Sequence, residues 1–574
     1  MMQFNSYLLS SLFLFACTGV KEKPADIDRE TQIRDSILQI TEQRFAASYA
    51  DAAGNIRLII ENRQQGERYK ALDIELYSSV LLPQYYVENR FEPLWFPHYD
   101  SLNKFEQMIL FLENLGYQGL DPNHYHYQEI KEQWELMHED PEIIFSGVFI
   151  ANTDALLSDA YFMLASHLYH GKVDPETQEA QWGIRRNKPN LPLDIKLWKM
   201  LKLETIEDGF RHFYPPHPGY EAMILEARKL SHHQEENFQI VAAAKTLPIK
   251  PGESSPIVPE IKNKLLLLGY YGNDSGLMDN TLDSIAAEAV KKLQLQFGLN
   301  TDGAVGPNTL KALNMPVEQR LKQLYVNMER LRWMPDSLET KYILVNIADF
   351  TLYMMHDADT LISMRSIVGK NYRKTPVFNS KITYLVFSPT WTIPPGIQRN
   401  DIIPAVIKNP DYLAEKNMRV FNLQGQVIDP STINWRRDGM RFTIRQAPGK
   451  QNALGLVKFM FPNKHNIYLH DTPSRELFAR DERTFSSGCI RIEKPFELSE
   501  LLLADMPQWT PERIRLAMNA GVERSVILDS PVGIYLYYLT AWGGSEGVIH
   551  YRSDIYERDD IILQALGERH TSWN

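Results

Sequence analysis

The sequence predicts a multi-domain α+β protein with a helical N-terminal half, a small helical module and a β-rich C-terminal domain. The chain has 574 residues, enough for roughly three or four domains of ordinary size. Apolar residues recur at three- and four-residue spacing up to about residue 245, whereas runs rich in Val, Ile, Tyr and Thr begin at Lys341. This change of period predicts helices first and strands later.

Composition limits the classes of partner. Apolar residues make up 44% of the chain and charged residues 23%, which is typical of globular proteins. The net charge of −11 argues against binding to nucleic acid, whose phosphates attract basic surfaces. We therefore expect no nucleic-acid partner.

The N-terminus resembles an export signal. The run "SYLLSSLFLFAC" is shorter than the ~20 apolar residues of a membrane span and has the length of a signal-peptide core. It ends on Leu14-Phe15-Ala16-Cys17, which resembles a bacterial lipobox with a lipidated cysteine. We expect residues 1–17 to be a lipoprotein-type signal peptide, and Cys17 to anchor the protein to a membrane on the periplasmic side of the cell envelope. The alternative is an ordinary secretory signal, since no Lys or Arg precedes the run.

Residues 18–40 are charged and lack aromatic residues, which predicts a tether. Residues 41–245 are predicted to form a helical scaffold domain, because segments such as "KFEQMILFLENLGY" are amphipathic at helical spacing. Four histidines in this region lack a zinc-ligand pattern, so we expect no metal and interpret them as solvated surface residues: His124, His126, His232 and His233.

A Pro-, Ser- and Gly-rich linker, "KTLPIKPGESSPIVP", separates this region from a compact segment. Residues 255–318 are predicted to contain three helices joined by a Gly-rich turn. "LLLLGY", "AVKKLQLQFGL" and "DGAVGPNTLKAL" resemble the small three-helix peptidoglycan-binding module, which implies glycan as a partner. The alternative is a helical spacer.

The β-rich domain is predicted over residues 340–525, where "KYILVNIADFTLYMM", "LISMRSIVG" and "KITYLVFSPTWTIPP" have the composition of strands. Residues 399–457 contain helix-like segments and are interpreted as an insertion. Residues 526–574 supply further strand-like runs, which we expect to complete the domain.

Two segments of this domain carry reactive side chains. In "NIYLHD", strand alternation puts Tyr468 and His470 on one face. "SSGC" makes a sharp turn at Gly488, and Cys489 and Arg491 point to the same side if "GCIRI" is extended. A histidine on a strand and a cysteine on a turn can therefore meet.

The residue types fit nucleophilic catalysis. If Cys17 carries lipid, Cys489 has no disulfide partner, and an unpaired thiol in an exported protein favours a chemical role. A thiol of pKa ~8.5 is mostly protonated at neutral pH, so an adjacent imidazole must take its proton. Backbone N–H groups at Gly488 can form an oxyanion hole, and Arg491 suits a substrate carboxylate.

The segment "HDTP…FSSGCIRI" resembles the active-site signature of L,D-transpeptidases. "VNIADFTLY", "VGKNYRKTPVF" and "SPTWTIPPGI" are similar to the earlier strands of the same YkuD-type domain. Together with the module at 255–318, they imply the large, multi-domain branch of that family. Many members have histidine at the position of Ser487.

The resemblance implies roles for particular residues. Cys489 would be the nucleophile and His470 the base, with the backbone carbonyl of Asp471 orienting the imidazole. The insertion at 399–457 would be a mobile cap. Four side chains would line the cleft for the stem peptide: Tyr468, Trp391, Ser487 and Arg491.

The implied reaction belongs to cell-wall biogenesis and the maintenance of cell shape. Cysteine attacks the third residue of a tetrapeptide stem, D-Ala leaves, and the amine of another stem resolves the thioester to a 3→3 peptidoglycan cross-link. No cofactor or metal is implied, and carbapenems are expected to react at the cysteine. Two alternatives stay open: a papain-like endopeptidase using the downstream His550, and a non-catalytic envelope-binding scaffold.

Overall fold

The structure is a computed structural model. It describes residues 24–63, 66–98, 102–175, 182–184, 191–232, 238–242, 246–272, 279–357, 359–544 and 547–569. Cys17, the first residues of the predicted tether and His233 lie outside these ranges.

The N-terminal half is helical, as predicted. Its elements are α1 (Pro24–Glu61), β1 (Tyr69–Ala71), β2 (Ile74–Leu76), α2 (Leu81–Glu88), α3 (Asn103–Glu113), α4 (Tyr127–Glu139), α5 (Gly147–His170), β3 (Trp182–Gly183), α6 (Leu193–Leu203), α7 (Ile206–Arg211) and α8 (Tyr220–Ser231). Short 3-10 helices lie at Leu115–Gln118, Pro122–Tyr125 and Pro141–Phe145.

Residues 24–40 of the predicted tether form the first turns of α1. The side chains of residues 31–40 are exposed, and from residue 31 onward Phe45 is the first buried apolar side chain. Charge and the absence of aromatic residues show that a segment lacks a packing face. They do not prevent helix formation when the following turns of the same helix are packed.

Two of the four histidines were misinterpreted. His126 is fully buried with its Nε2 2.7 Å from a carboxylate oxygen of Asp159, and His124 is buried with its Nδ1 2.6 Å from Nζ of Lys172. Both partners are distant in sequence, so local spacing carried no sign of them. α5, which supplies Asp159, is buried on nearly all sides and forms the centre of this half.

The middle of the chain forms the compact helical module. It contains α9 (Val258–Leu267), α10 (Ser284–Gln296) and α11 (Pro307–Leu313), and α12 (Val317–Arg332) follows it. The three helices enclose an apolar cluster of their own that includes Val258, Leu265, Leu293 and Leu313.

The β-rich domain is built on a sheet that closes on itself. Its strands are β4 (Lys341–Asn346), β5 (Thr351–His356), β6 (Asp359–Gly369), β7 (Val377–Phe387), β12 (Val457–Met460), β13 (Leu469–His470), β14 (Thr484–Ser486), β15 (Ile490–Ile492) and β16 (Arg524–Tyr537). The order is β12-β13-β15-β6-β5-β4-β16-β7, and β12 pairs again with β7. β14 pairs with β6, β3 joins β7, and α17 (Pro495–Leu502) and α18 (Pro511–Met518) follow β15.

The insertion folds as a separate unit, which we call the β8–β11 subdomain (residues 391–446). It contains β8 (Trp391–Thr392), α13 (Pro395–Ile397), a π-helix (Gln398–Ile402), α14 (Ile403–Lys408), α15 (Tyr412–Glu415), β9 (Met418–Phe421), β10 (Val427–Ile428), α16 (Trp435–Asp438) and β11 (Thr443–Gln446). The strands form a four-stranded sheet in the order β10-β9-β11-β8. The unit begins before the predicted boundary at 399 because β8 pairs with β11.

The C-terminal segment completes the closed sheet only in part. β16 pairs with β4 and β7, whereas β17 (Ala541–Gly543) and β18 (Ile549–Tyr551) form a separate two-stranded sheet within the described part of the chain. This hairpin packs against α8 and α12 in a cluster that includes Met223, Leu324 and Ile549, and α19 (Asp559–Gly567) follows it. Helical half, helical module and β-rich domain together confirm the predicted multi-domain α+β fold.

Candidate active site

Parallel pairing of β13 with β15 brings the predicted histidine and cysteine to neighbouring strands. His470 is paired with Arg491, and the N–H of Ile490 donates to the carbonyl of Tyr468 at 3.2 Å. Cys489 therefore lies beside Tyr468, one alternation before the His470–Arg491 pair. Ile490 and Ile492 are buried on the opposite face, so Cys489 and Arg491 share one side of β15 as predicted.

His470 is buried and held in one orientation. Its Nδ1 lies 2.6 Å from the backbone carbonyl of Asp471, which can only accept a hydrogen bond. Nδ1 therefore carries the proton, and Nε2 of the neutral ring keeps its lone pair. The carboxylate of Asp471 accepts from the N–H of Leu456 and pairs with Arg475 at 3.2 Å, which fixes the segment that orients the ring.

Both reactive groups are neutral in the resting site. Burial, with the neighbouring Arg491 guanidinium, lowers the pKa of His470 to about 3, and the hydrogen bond to Asp471 opposes this only in part. Burial also raises the pKa of the Cys489 thiol, with Tyr468 and Arg491 acting in the opposite direction. The geometry thus pairs an un-ionised thiol with a neutral imidazole.

The thiol of Cys489 is half-buried. Its Sγ lies 3.8 Å from the backbone carbonyl of Asn466, and it interacts with the hydroxyl of Tyr468. Within the described ranges, no hydrogen bond joins it to His470. Catalytic hydrogen bonds are often long in unliganded enzymes and tighten when substrate binds.

Arg491 is a cation without an ion pair among the described residues. Its Nε is buried and has no hydrogen-bond partner there. Burial lowers the pKa of Arg491, which the charges of Cys489 and Glu476 oppose. A half-buried guanidinium without an ion pair among the described residues, beside a nucleophile, suits an anionic ligand group.

An oxyanion hole requires a free N–H donor, and the N–H of Gly488 is not free. Its N–H donates to Oγ of Ser486 at 3.1 Å, so this group is already occupied. Gly488 has a φ of 115°, in the region that favours glycine, which explains the residue type at the turn. A role for its N–H in an oxyanion hole stays a prediction that requires this hydrogen bond to be given up.

Two predicted cleft residues remain. Trp391 belongs to the β8–β11 subdomain, and Ser487 is connected to it through Arg373. Trp391 begins β8 and interacts with the hydroxyl of Tyr468. Ser487 is exposed, and its Oγ accepts a hydrogen bond of 2.7 Å from Nη1 of Arg373. The same nitrogen lies 2.9 Å from the carboxylate of Asp401 in the π-helix.

Sequence reasoning missed three residues that contact this site. Arg373 and Thr375 lie in "GKNYRKTP", a segment noted only for its resemblance to a strand region. Oγ1 of Thr375 donates to the carbonyl of Gly488 at 2.8 Å. Tyr556 contacts Thr375 from the C-terminal segment, where nothing in the local sequence indicated it.

His550 lies in the β17–β18 hairpin, where its ring stacks on Trp542 at 5.2 Å. His550 is thus not on β13, the strand that carries His470 and pairs with β15 beside Cys489. In the ranges given above, no group of three or more His, Cys, Asp or Glu side chains could hold a metal ion. Among the same residues, no helix has the length and apolar character that crossing a bilayer requires.

Three family models match the chain. The model described as "L,D-transpeptidase catalytic domain" matches residues 340–514, a "Scaffold domain" matches 80–225, and a "Putative peptidoglycan binding domain" matches 254–313.

A curated protein of Haemophilus influenzae, named "Putative L,D-transpeptidase", is 38% identical over 243 residues, which are 42% of this chain and 49% of that protein. The chain thus spans about half the length of this relative. Crystal structures of L,D-transpeptidases from Xylanimonas cellulosilytica and Stackebrandtia nassauensis are each 14% identical and cover 50% of this chain and 97% and 96% of theirs. Their TM-scores of 0.17 and 0.20 support no conclusion about this chain.

Proposed function

We propose that residues 340–514, which match the L,D-transpeptidase catalytic domain, act on the cell wall with Cys489 as nucleophile and His470 as base. The observation that supports this most is the hydrogen bond from Nδ1 of His470 to the carbonyl of Asp471. That bond leaves Nε2 as a proton acceptor on the strand next to Cys489.

The reaction proceeds in two acyl transfers. In the first, the thiol of Cys489 passes its proton to His470 while Sγ bonds to the carbonyl carbon of the third residue of a tetrapeptide stem. The C–N bond to D-Ala breaks, and the leaving amine takes the proton from the imidazolium. In the second, an amine of another stem gives a proton to His470 and attacks the thioester. The C–S bond breaks, the thiol recovers its proton, and a 3→3 cross-link results.

The neutral resting pair suits this sequence of proton transfers. Because both groups are neutral, the thiol gives its proton to His470 as Sγ attacks, and the leaving amine takes that proton from the imidazolium. The Arg491 guanidinium lowers the pKa of both groups, so it favours the developing thiolate and disfavours the imidazolium. We assign Arg491 to a substrate carboxylate, and Tyr468, Trp391 and Ser487 to the cleft around the stem peptide.

The module and the N-terminus would bring the domain to its substrate. The match at 254–313 favours glycan binding, which would add effective concentration rather than chemistry. Deleting 255–318 should spare activity on a small soluble stem peptide and weaken activity on intact sacculi. Equal activity on both substrates after the deletion would remove the binding role and favour the helical spacer.

Cys17, outside the described residues, is the proposed lipid attachment site and would hold the protein at the periplasmic face of a membrane. One acyl chain alone binds reversibly, so firm anchoring requires two or more. Labelling with an alkyne fatty acid should be lost in Cys17→Ala, and unchanged labelling would refute the anchor.

Intact-protein mass spectrometry tests the catalytic proposal. Wild-type protein should gain the mass of an acyl group from a tetrapeptide stem and, by resemblance, of a carbapenem, whose strained amide imitates the scissile carbonyl. Cys489→Ala should gain neither and form no cross-linked muropeptide. An adduct or cross-link that persists in Cys489→Ala would place the chemistry elsewhere. If wild type is also silent, the non-catalytic scaffold is favoured.

A further inference from the structure

The turn that carries the nucleophile is fixed by one side chain inside the signature and by others outside it. We call residues 486–489 the Cys489 turn. The hydroxyl of Ser486 accepts from the N–H of Gly488 at 3.1 Å and donates to the carbonyl of Cys489 at 2.5 Å. Ser486 is buried, so one hydroxyl closes the turn from inside.

A second hydroxyl joins this turn to the end of β6. Thr375 is fully buried, and its Oγ1 donates to the carbonyl of Gly488 at 2.8 Å while accepting from the N–H of Gly369 at 2.9 Å. A hydroxyl has one proton, so the bond to Gly488 uses the only donor that Thr375 Oγ1 has. The position of the Cys489 turn therefore depends on the position of Thr375.

Thr375 is in turn held by the C-terminal segment. The hydroxyl of Tyr556 donates to the carbonyl of Gly369 at 2.6 Å and accepts from the N–H of Thr375 at 3.2 Å. Tyr556 is fully buried and lies beyond the residues that the catalytic family model matches. The Tyr556 hydroxyl thus bonds to the backbone of both Gly369 and Thr375, and these two residues also form the hydrogen bond between Gly369 N–H and Thr375 Oγ1.

Tyr556 itself has little freedom. Its ring stacks on Tyr538 with centroids 5.6 Å apart and planes 11° apart, and the guanidinium of Arg558 lies 5.0 Å from both ring centroids. Its N–H donates to the hydroxyl of Tyr538 at 3.0 Å, and its carbonyl accepts from Lys374 at 2.6 Å. Burial raises the pKa of Tyr556, which keeps the hydroxyl protonated as a donor.

We propose that Tyr556, acting through Thr375, is a positioning residue for the nucleophile Cys489. This rests on the proposed function of Cys489. Without the phenol oxygen, the buried carbonyl of Gly369 and the buried N–H of Thr375 lose their partner, and the segment between them must shift to find another. The shift passes through one hydroxyl to Gly488, the neighbour of the nucleophile.

The chain offers a matched control. Tyr551 is also fully buried in the C-terminal segment, but its hydroxyl has no hydrogen-bond partner among the described residues. Tyr551→Phe removes the same atom as Tyr556→Phe without touching the Cys489 turn. A difference between the two variants therefore measures the contacts of Tyr556 and not the loss of a buried hydroxyl.

Two measurements on the full-length protein test the proposal. The first is kcat and KM for acylation by a tetrapeptide stem. Because misplacing a reacting group by about 1 Å costs up to ~10²-fold in rate, Tyr556→Phe should lower kcat by about tenfold or more with KM little changed. The second is the rate of Cys489 alkylation by iodoacetamide as a function of pH, which reports on the thiol without requiring transpeptidation. Its profile should shift in Tyr556→Phe and match wild type in Tyr551→Phe.

If Tyr556→Phe does not fold, the same measurements on two Thr375 variants test the proposal. Thr375→Ser keeps the hydroxyl and should retain most of the rate, whereas Thr375→Val keeps the shape and should lose it. Equal behaviour of the two phenylalanine variants, or of the serine and valine variants, would overturn the proposal. Failure of the proposed function gives a different result. Cys489→Ala would then retain wild-type chemistry, while the alkylation profile of Cys489 would still differ between Tyr556→Phe and Tyr551→Phe.

Discussion

The Cys489 turn and the β8–β11 subdomain face each other across the candidate site, and they are held in opposite ways. Buried hydroxyls of Ser486, Thr375 and Tyr556 fix the turn through the backbone. The subdomain has its own sheet and its own apolar cluster, which includes Ile402, Val420 and Ile444.

Two interactions connect the subdomain to active-site residues. They are the ion pair of Arg373 with Asp401, whose side chain is 47% exposed, and the interaction of Trp391 with Tyr468. Exposed ion pairs contribute little to stability. The nucleophile is thus held by buried hydrogen bonds, whereas the ion pair on the opposite side of the cleft is partly exposed, and the mobile cap stays a prediction.

The first prediction concerns the base that lies beside the Cys489 turn. His470→Ala should slow acylation by roughly 10²–10⁴-fold, the usual contribution of a general base, while KM changes much less. Stopped-flow or quenched mass spectrometry of the acyl-enzyme measures this.

His550→Ala is the matched control, since it removes an imidazole from the separate β17–β18 hairpin. It should acylate at the wild-type rate. If His550→Ala were silent and His470→Ala active, the papain-like alternative would hold.

This side of the site was the more predictable one from sequence. Strand alternation in "NIYLHD" and the turn at Gly488 place His470 and Cys489 by local geometry, and local geometry is what periodicity reports. The orientation by the Asp471 carbonyl came from the resemblance, and the 2.6 Å contact agrees with it.

Long-range partners were not predictable. Tyr556 reaches Thr375 across 181 residues, and His126 meets Asp159 across 33. No local period encodes such pairs, because the closed sheet and the packing of α5 create them. The fold class follows from composition and periodicity, whereas burial of a polar residue depends on a partner that only the tertiary structure supplies.

A second prediction loosens the opposite side. Asp401→Asn removes the ion pair with Arg373 and should raise KM for the stem peptide by about fivefold or less, because an exposed pair is worth at most about 1 kcal/mol. The value of kcat should stay near that of wild type, since the Cys489 turn keeps its buried hydrogen bonds. Steady-state kinetics on a soluble stem peptide measures both constants.

Asp429→Asn is the control for this variant. Asp429 lies in the same subdomain and makes no ion pair among the described residues. A loss of kcat in Asp401→Asn alone would show that the subdomain does more than close the cleft, and the contrast drawn above would fail.

The smallest expected effect is on pH dependence, and it follows from the neutral resting pair. The imidazole must be unprotonated to accept the proton of the thiol. Because the pKa of His470 is lowered to about 3, the ring stays neutral when pH falls from 8 to 5, and the acylation rate should not fall through a step near the ordinary histidine value of about 6.5. The raised pKa of Cys489 means that the thiolate fraction does not set the rate in this range either.

The free energy of unfolding should depend on pH in the range where the acylation rate does not. The unfolded chain takes up a proton at His470 near pH 6.5, but the folded protein does not until about pH 3, so the free energy of unfolding should decrease as pH falls through this window. Urea unfolding at pH 7 and pH 5, compared for wild type and His470→Asn, isolates that contribution. A rate that drops near pH 6.5 together with an unchanged stability difference would mean that His470 titrates at its ordinary value in the folded protein, and the lowered pKa of His470 would be wrong.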